Sequence, residues 1–488
     1  MDFKNQNLKT LLSAVFTRRN LRCFLLIFLC FFLTSAGYLS WLYHLMPFVS
    51  PKAADLLTMG GGYAMQAAGI GIAAKFLFRR HDGTFSNQLF ALFVVIYAVC
   101  LIPACLSPSA AGTIVFGLVM NLFCGLIAAF YLHTLTFDTD GEFRAVLFGA
   151  SYAAATIAAW LLSLPEKRHF LRASHVLFVY FVLAAALILL ILIRPRIFTD
   201  ALPEKTDAGQ PAFENVRTKE THGLYDSPAL STASQLPLLA GATVVIFSLV
   251  KNIGFGFPSA DLYAGINLEA SRILYAVGLL VAGWLTEKNR KYGAICAMAA
   301  LVTPFLILSL SGEPLPQTVF WALDYFVYGF FSVYRVILFS DLAKARQVPC
   351  YTCFGLLLGR IGDAAGTSVS TLLSDHATVL VILAAVLFVA SIFLFFRLYQ
   401  LLYAPGSAVQ RPSEAELFDR FSSRYEFSVR EQEVLQLLLD KKSSAEIAET
   451  LFVSDRTVKF HIHNLLAKTG CKNRTELLAK YRAETHSN

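Results

Sequence analysis

The sequence predicts an all-α protein in two parts, a bundle of twelve transmembrane helices followed by a small bundle of four short helices. Three observations carry that expectation. Of the 488 residues, 56% are hydrophobic and only 15% charged, with a mean hydropathy of +0.58, whereas soluble domains run nearer ~45–50% apolar and ~25% charged. Twelve apolar runs long enough to cross a bilayer can be laid out, divided six and six by a polar stretch. The last sixty or so residues then change character, with apolar residues at helical spacing and a basic outer face.

Taken in order, residues 1–193 form the first six-span half, 194–235 a central linker, 236–396 the second half, 397–424 a second linker, and 425–488 the terminal domain. Residues 1 to 20 are polar and basic, and the apolar run after Arg22 is about twenty residues long. That is enough to cross a bilayer and too long for a signal-peptide core, so it reads as a retained first span. The runs lie at 23–45, 56–78, 87–106, 109–135, 143–163, 173–193, 236–257, 267–286, 292–310, 317–340, 350–373 and 377–396. Lipid offers the backbone no hydrogen-bond partners, so each is expected to be a helix. The stretch from Arg194 to Gln235 carries few aromatics and reads as a flexible cytoplasmic linker.

Basic residues at the span ends set the orientation. With the N-terminus inside, Lys4, Lys9, Arg18, Arg19, Arg79, Arg80, Arg194, Arg196, Lys288, Arg290, Lys291, Lys344 and Arg346 are cytoplasmic, and only Lys52, Lys167, Arg168 and Arg172 lie outside. An even number of spans returns the C-terminus to the cytoplasm, where DNA is within reach.

In the terminal domain, apolar periodicity over 425–481 gives four helical segments separated by Lys441–Ser443, Phe452–Ser454 and Thr469–Lys472. The middle two form a helix-turn-helix, with Ser454 as N-cap of a helix running to about Lys468. On it Val458, Ile462, Leu465 and Leu466 face the core, leaving Arg456, Lys459, Phe460 and His463 outward. From Leu451 to Thr475 there are five Lys or Arg and one acid, the sign that DNA phosphates require. An apolar back and a cationic front are what a recognition helix needs.

Ser428-Val429-Arg430-Glu431, Glu446-Ile447-Ala448, Ser454 with Thr457-Val458-Lys459 and His461, and Arg474-Thr475-Glu476-Leu477 together resemble the LuxR-type (GerE-like) DNA-binding domain. The match covers about one eighth of the chain. The resemblance implies a DNA interface of Ser454, Arg456, Thr457, Lys459, Phe460, His463, Lys468, Lys472 and Arg474, with Lys459, Phe460 and His463 in the major groove. It also implies a dimer contact on the closing helix through Leu477, Leu478 and Tyr481. The membrane part, with two six-helix halves around a long central loop, resembles the major facilitator superfamily. Gly283-Trp-Leu-Thr-Glu287-Lys288-Asn-Arg290-Lys291 is similar to that family's loop motif, while the equivalent first-half loop keeps Gly71 and Arg79-Arg80 without the acid.

Charges inside the spans are the candidate sensing residues: Arg360 and Asp363 one turn apart in span eleven, Asp324 and Arg335 on one face of span ten, and Lys251 in span seven. An internal ion-pair network and a ligand or proton site both fit Arg360 and Asp363. Snorkelling to the surface is the plainer alternative for Lys251, and for Arg335 with Asp341. Gly355, Gly359, Gly362 and Gly366 stripe span eleven and favour close helix packing.

Nine scattered cysteines, with Cys350 and Cys353 the one close pair, form no metal or redox pattern. Phosphate-loop, dinucleotide and nucleophile motifs are missing too, so the sequence suggests no enzyme, catalytic residue, metal or cofactor. The function expected is a membrane-embedded transcriptional regulator whose bundle senses a small molecule and whose terminal domain binds double-stranded promoter DNA as a dimer. The alternative is a secondary transporter with a fused regulatory tail.

Overall fold

Runs of Leu, Phe, Val and Ala without a polar partner to satisfy the backbone become helices, and helices are what the computed structural model contains. It describes residues 17–77, 87–139, 143–167, 173–192, 233–255, 268–302, 314–403, 414–440 and 442–486, among which there is no strand. The chain divides into two units, 1–407 and 408–488.

The first unit has α1 (Arg18–Leu45), α2 (51–77), α3 (Asn87–Leu106), α4 (Ala110–Phe137), α5 (Arg144–Lys167) and α6 (Ala173–Leu192). After residues 193–232, which lie outside the described residues together with most of the expected central linker, come α7 (Leu236–Phe255), α8 (Leu268–Lys288), α9 (290–301), α10 (Pro314–Arg346), α11 (Tyr351–Leu372) and α12 (Ala377–Tyr403). Eight of these helices are long and apolar enough to cross a membrane by length and composition. α7, α8 and α10 to α12 overlap the expected spans, and α10 and α12 run beyond them.

Two seams join the halves: α5 packs on α8, and α2 packs on α11. The first is made possible by glycine. A Cβ on Gly149 of α5 would crowd the Leu279 carbonyl, and one on Gly283 of α8 would stand 2.7 Å from that of Ala145, so neither position takes a side chain without parting the helices. In the second seam α2 is not a plain α-helix, since Leu56–Gly62 and Ala73–Leu77 widen to π-helical turns. Such turns recur at functional sites, and Tyr63 follows the first of them.

One end of the α5–α8 seam is held by charge. Glu287 Oε2 accepts the backbone N–H groups of Ala145 (2.7 Å) and Val146 (3.3 Å) at the start of α5, where the helix dipole favours an anion. Arg290 reaches both Glu287 (3.2 Å) and Asp341 (2.9 Å), and Arg144 donates to Asp341 at 2.5 Å. Asp341 therefore does not snorkel; it is shared by cations from both halves. Thr136 and Ser340 add a hydroxyl pair at 2.9 Å across the halves.

The second unit has α13 (Glu414–Arg424), α14 (Val429–Leu439), α15 (Ser444–Leu451), α16 (Asp455–Thr469) and α17 (Arg474–His486) around Phe421, Phe427, Val434, Leu435, Ile447, Val458, Ile462, Leu465 and Leu477. Two findings correct the expected linker over 397–424: α12 continues to Tyr403, and 414–424 is a helix rather than loop. Its Phe418 and Phe421 supply the reason, because they pack into the core of this unit against Tyr425 and Tyr481.

Candidate functional site

Two assemblies of side chains stand out, one in each unit. In the membrane bundle the glycine stripe of α11 comes first, because it determines what can meet. A Cβ on Gly355 would collide with the Arg335 carbonyl of α10, and one on Gly359 with the Arg335 guanidinium. On the next turns, Gly362 and Gly366 meet α7 in the same way, against the Val245 carbonyl and, at 2.5 Å, that of Leu249. Both neighbours are thus drawn against α11.

The consequence is a charge cluster at fully buried Asp363. Its carboxylate receives Arg335 at 3.1 Å, Arg360 at 3.3 Å and Lys251 at 3.6 Å, with Asn252 donating at 2.5 Å. Four of the five expected sensing residues are therefore brought together. Asp324, also fully buried on α10, does not pair with Arg335, which turns to Asp363 instead. Lys251 and Arg335 are each 3% exposed, so the snorkelling alternative fails for both. Lys251 also sits 3.7 Å from the Tyr328 ring centroid, and Arg360 4.2 Å from that of Tyr63.

Arg360 opens on its other side to a cavity of about 200 Å³ lined from both halves, including Phe31, Tyr63, Gln66, Tyr152, Trp160 and Tyr275. Phe31 and Tyr152 stack at 3.9 Å between centroids, and Tyr275 stands edge-on to Tyr152 at 5.5 Å. Gln66 is fixed by a 2.7 Å bond to Asn121. None of these wall residues carried a signal in the sequence, because an aromatic in an apolar span looks the same whether it faces lipid, core or cavity.

In the second unit, three serines start the helices. Ser428 and Ser443 form capping boxes with Glu431 and Glu446, each serine N–H bonding the glutamate at 2.8 and 2.7 Å and each glutamate N–H the serine hydroxyl at 3.4 Å. The Ser-x-x-Glu spacing would have identified both. The backbone N–H groups of Ser428 and Ser443 and the serine hydroxyls favour the charged carboxylates, and Glu446 is held below its ordinary pKa for that reason. Ser454 caps α16 by accepting the Thr457 N–H at 3.1 Å, and Gly470 ends it in the left-handed conformation at φ 71°. Phe452 closes α15 in the same conformation, at φ 56°, with its ring 96% exposed.

On α16, Val458, Ile462 and Leu465 are buried, and Arg456, Lys459, Phe460 and His463 are exposed. Lys459 holds only a solvent-exposed partner, Asp455 at 2.6 Å one turn back. Lys472, just past the end of α16, is also exposed. Two expected DNA contacts are engaged elsewhere. Lys468 donates to Glu431 (2.7 Å) and to the Glu426 carbonyl (2.8 Å), bracing α16 on α14, and Arg474 donates to the Ser444 hydroxyl, tying α17 to α15. The expected dimer face is also altered. Leu477 is fully buried and has no surface to offer, and Tyr481 lies edge-on to Phe421 of α13 at 5.0 Å.

Known proteins match both units. The family model "Bacterial regulatory proteins, luxR family" matches residues 426–480. Spore germination protein GerE of Bacillus subtilis (strain 168) is 40% identical over 60 residues, 12% of this chain and 81% of that protein. The chain belongs to the luxR family of bacterial regulatory proteins. An uncharacterized transcriptional regulatory protein of the same organism, YhcZ, is 46% identical over 52 residues, but these are only 24% of its length. The first unit resembles the crystal structure of the human organic anion transporter MFSD10 (TETRAN), with a TM-score of 0.52 at 16% identity over 78% of this chain and 99% of that one. That likeness is one of fold alone. In the luxR unit, the exposed cations of α16 lie on the helix that comes after the turn of the helix-turn-helix.

Proposed function

We propose that the protein is a transcriptional regulator that stays in the cytoplasmic membrane, with both termini in the cytoplasm, and that its facilitator-type bundle senses a small molecule. The luxR unit binds double-stranded promoter DNA through Arg456, Lys459, Phe460, His463 and Lys472, with Ser454 and Thr457 holding the start of the helix. Lys468 and Arg474 serve as braces. Two copies meet on DNA, using the outward side of α17 near Leu478 rather than Leu477. The observation that carries the reading is the joining of a luxR unit to a bundle whose centre holds a carboxylate shared by three cations.

Such a cluster gives the bundle an element that a ligand can bias. Buried charges tolerate few arrangements, so binding that favours one arrangement shifts the population of bundle states. Tethering in a plane raises the effective concentration of the luxR units, and a modest change in presentation then alters how many pair on DNA. The test is a promoter reporter in cells, chosen by transcript profiling of a deletion strain. Lys459→Ala should abolish regulation under all conditions, and an Arg360/Asp363 charge swap should abolish the response to inducer. A swap that responds like the parent moves the sensor elsewhere.

The Glu287–Arg290–Asp341–Arg144 latch between halves favours a second reading, transport with a regulatory tail. Uptake of labelled compounds into vesicles separates the two, since a regulator alone accumulates none.

A further inference from the structure

Arg360 belongs to two features at once, the charge cluster and the aromatic cavity, and together they specify a ligand chemistry. The cavity, about 200 Å³, is smaller than the ~300–1,000 Å³ of sites for drug-sized molecules, so it suits a single ring. Its walls are faces and edges of Phe31, Tyr63, Tyr152, Trp160 and Tyr275, and such walls favour stacked or edge-on contact with another aromatic ring.

The polar groups specify the rest. Arg360 gives Nη1 to Asp363 at 3.3 Å, but the same carboxylate also receives Arg335 and Lys251. One negative charge is divided among three positive ones, so the positive charge on the cavity side of Arg360 is only partly neutralised. The Arg360 Nε–H and the Trp160 Nε1–H, both on lining residues, are buried without an acceptor. Buried donors without acceptors are rare and call for an explanation. A carboxylate supplies acceptors for both and matches the planar fork of a guanidinium. A cation would face like charge, and a neutral ring would leave the donors poorly matched.

We propose that this cavity binds a single-ring aromatic monoanion, its carboxylate on Arg360 and Trp160 and its ring between the aromatic walls. This ligand class belongs to the sensing site, and it rests on the sensing reading only for the consequence of binding. Binding is measured by calorimetry on the full-length protein in detergent, with benzoate, benzamide, benzylamine and cyclohexanecarboxylate as probes. Benzoate should bind roughly tenfold or more tightly than benzamide or cyclohexanecarboxylate, and benzylamine should not bind. Arg360→Gln should reduce benzoate to the level of benzamide, and Arg360→Lys should leave an intermediate affinity. Because Arg360→Gln disturbs the charge cluster as well, Ala159→Phe is the second variant: it fills the cavity from a lining position with every charge in place, and should remove benzoate binding from a protein that unfolds at the parent temperature. No benzoate binding, tighter binding of the amide or amine, or undiminished benzoate binding in both variants overturns the proposal. Benzoate binding without any promoter response would sink the sensing reading and leave the ligand class standing. A promoter response confined to cationic or neutral compounds would do the reverse.

Discussion

The two units use their cations in opposite ways. Lys251, Arg335 and Arg360 are drawn out of water onto one fully buried carboxylate, whereas on α16 Arg456 and Lys459 stand in solvent, the Lys459 side chain 67% exposed with only a surface partner. A buried pair is held by the low dielectric around it, and breaking it leaves an uncompensated charge. A surface pair is worth ~0–1 kcal/mol and is screened by salt, so Lys459 can leave Asp455 for a phosphate or a base edge at little cost. Burial makes a charge a fixed part of one state; exposure leaves it free for an arriving partner.

The largest effect should come from removing the buried anion. Asp363→Asn keeps the shape and leaves three cations without their carboxylate, at a cost on the order of 3–5 kcal/mol. Thermal unfolding of the full-length protein in detergent reads this directly, and an unchanged transition would break the contrast. The fragment 414–488 provides the control, since it has a core of its own and its relative GerE is matched over 81% of its length by this unit.

A smaller effect is expected at the exposed cation. Lys459→Ala in that fragment should weaken DNA binding by ~1–3 kcal/mol and lower the salt slope by about one, with the fold unaffected. Arg430, in an exposed pair with Glu433 on α14, serves for comparison. Equal losses for Arg430→Ala and Lys459→Ala would mean that α16 is not the reading helix.

Glu431 sharpens the comparison from within the small unit, as a buried carboxylate with one exposed partner. Burial pushes its pKa up, but the Lys468 ammonium and the Ser428 N–H and hydroxyl outweigh that and hold it below the usual range. A lowered folded-state pKa means that this stabilisation is fully present above the unfolded value of about 4.3 and is lost as pH falls through the folded one. Glu431→Gln should cost about 1 kcal/mol at neutral pH and flatten the acid limb of the fragment's stability curve. An acid limb as steep as the parent's would count against the Lys468 brace.

Much of the small unit was readable because its signals are local. Val458, Ile462 and Leu465 fall on one face by helical period, and the Ser454 cap lies three residues from the N–H that it bonds. The same kind of signal was available for α13, where Leu417, Phe418 and Phe421 have helical spacing, but the Pro and Ser residues before them favoured a linker. Leu477, expected at a dimer surface, is fully buried, and Lys468, expected on DNA, is held by Glu431. Their family roles say what such positions contact in an assembly, and a neighbouring helix in this chain decided what is left exposed.

In the bundle, apolar length by itself determined that the spans are helices, because a helix closes its hydrogen bonds within four residues and lipid allows no alternative. The Arg360–Asp363 pair was legible too, as neighbours one turn apart. Only the tertiary structure decided that Arg335 and Lys251 join them, or that Asn252 reaches Asp363 from 111 residues away. That depends on how closely α7 and α10 approach α11 across its glycines, and on the facing surfaces that meet there. The cavity beside Arg360 is further still from sequence: its walls come from six helices, α1, α2, α4, α5, α8 and α10, besides α11 itself, and no local rule says which side of each faces inward.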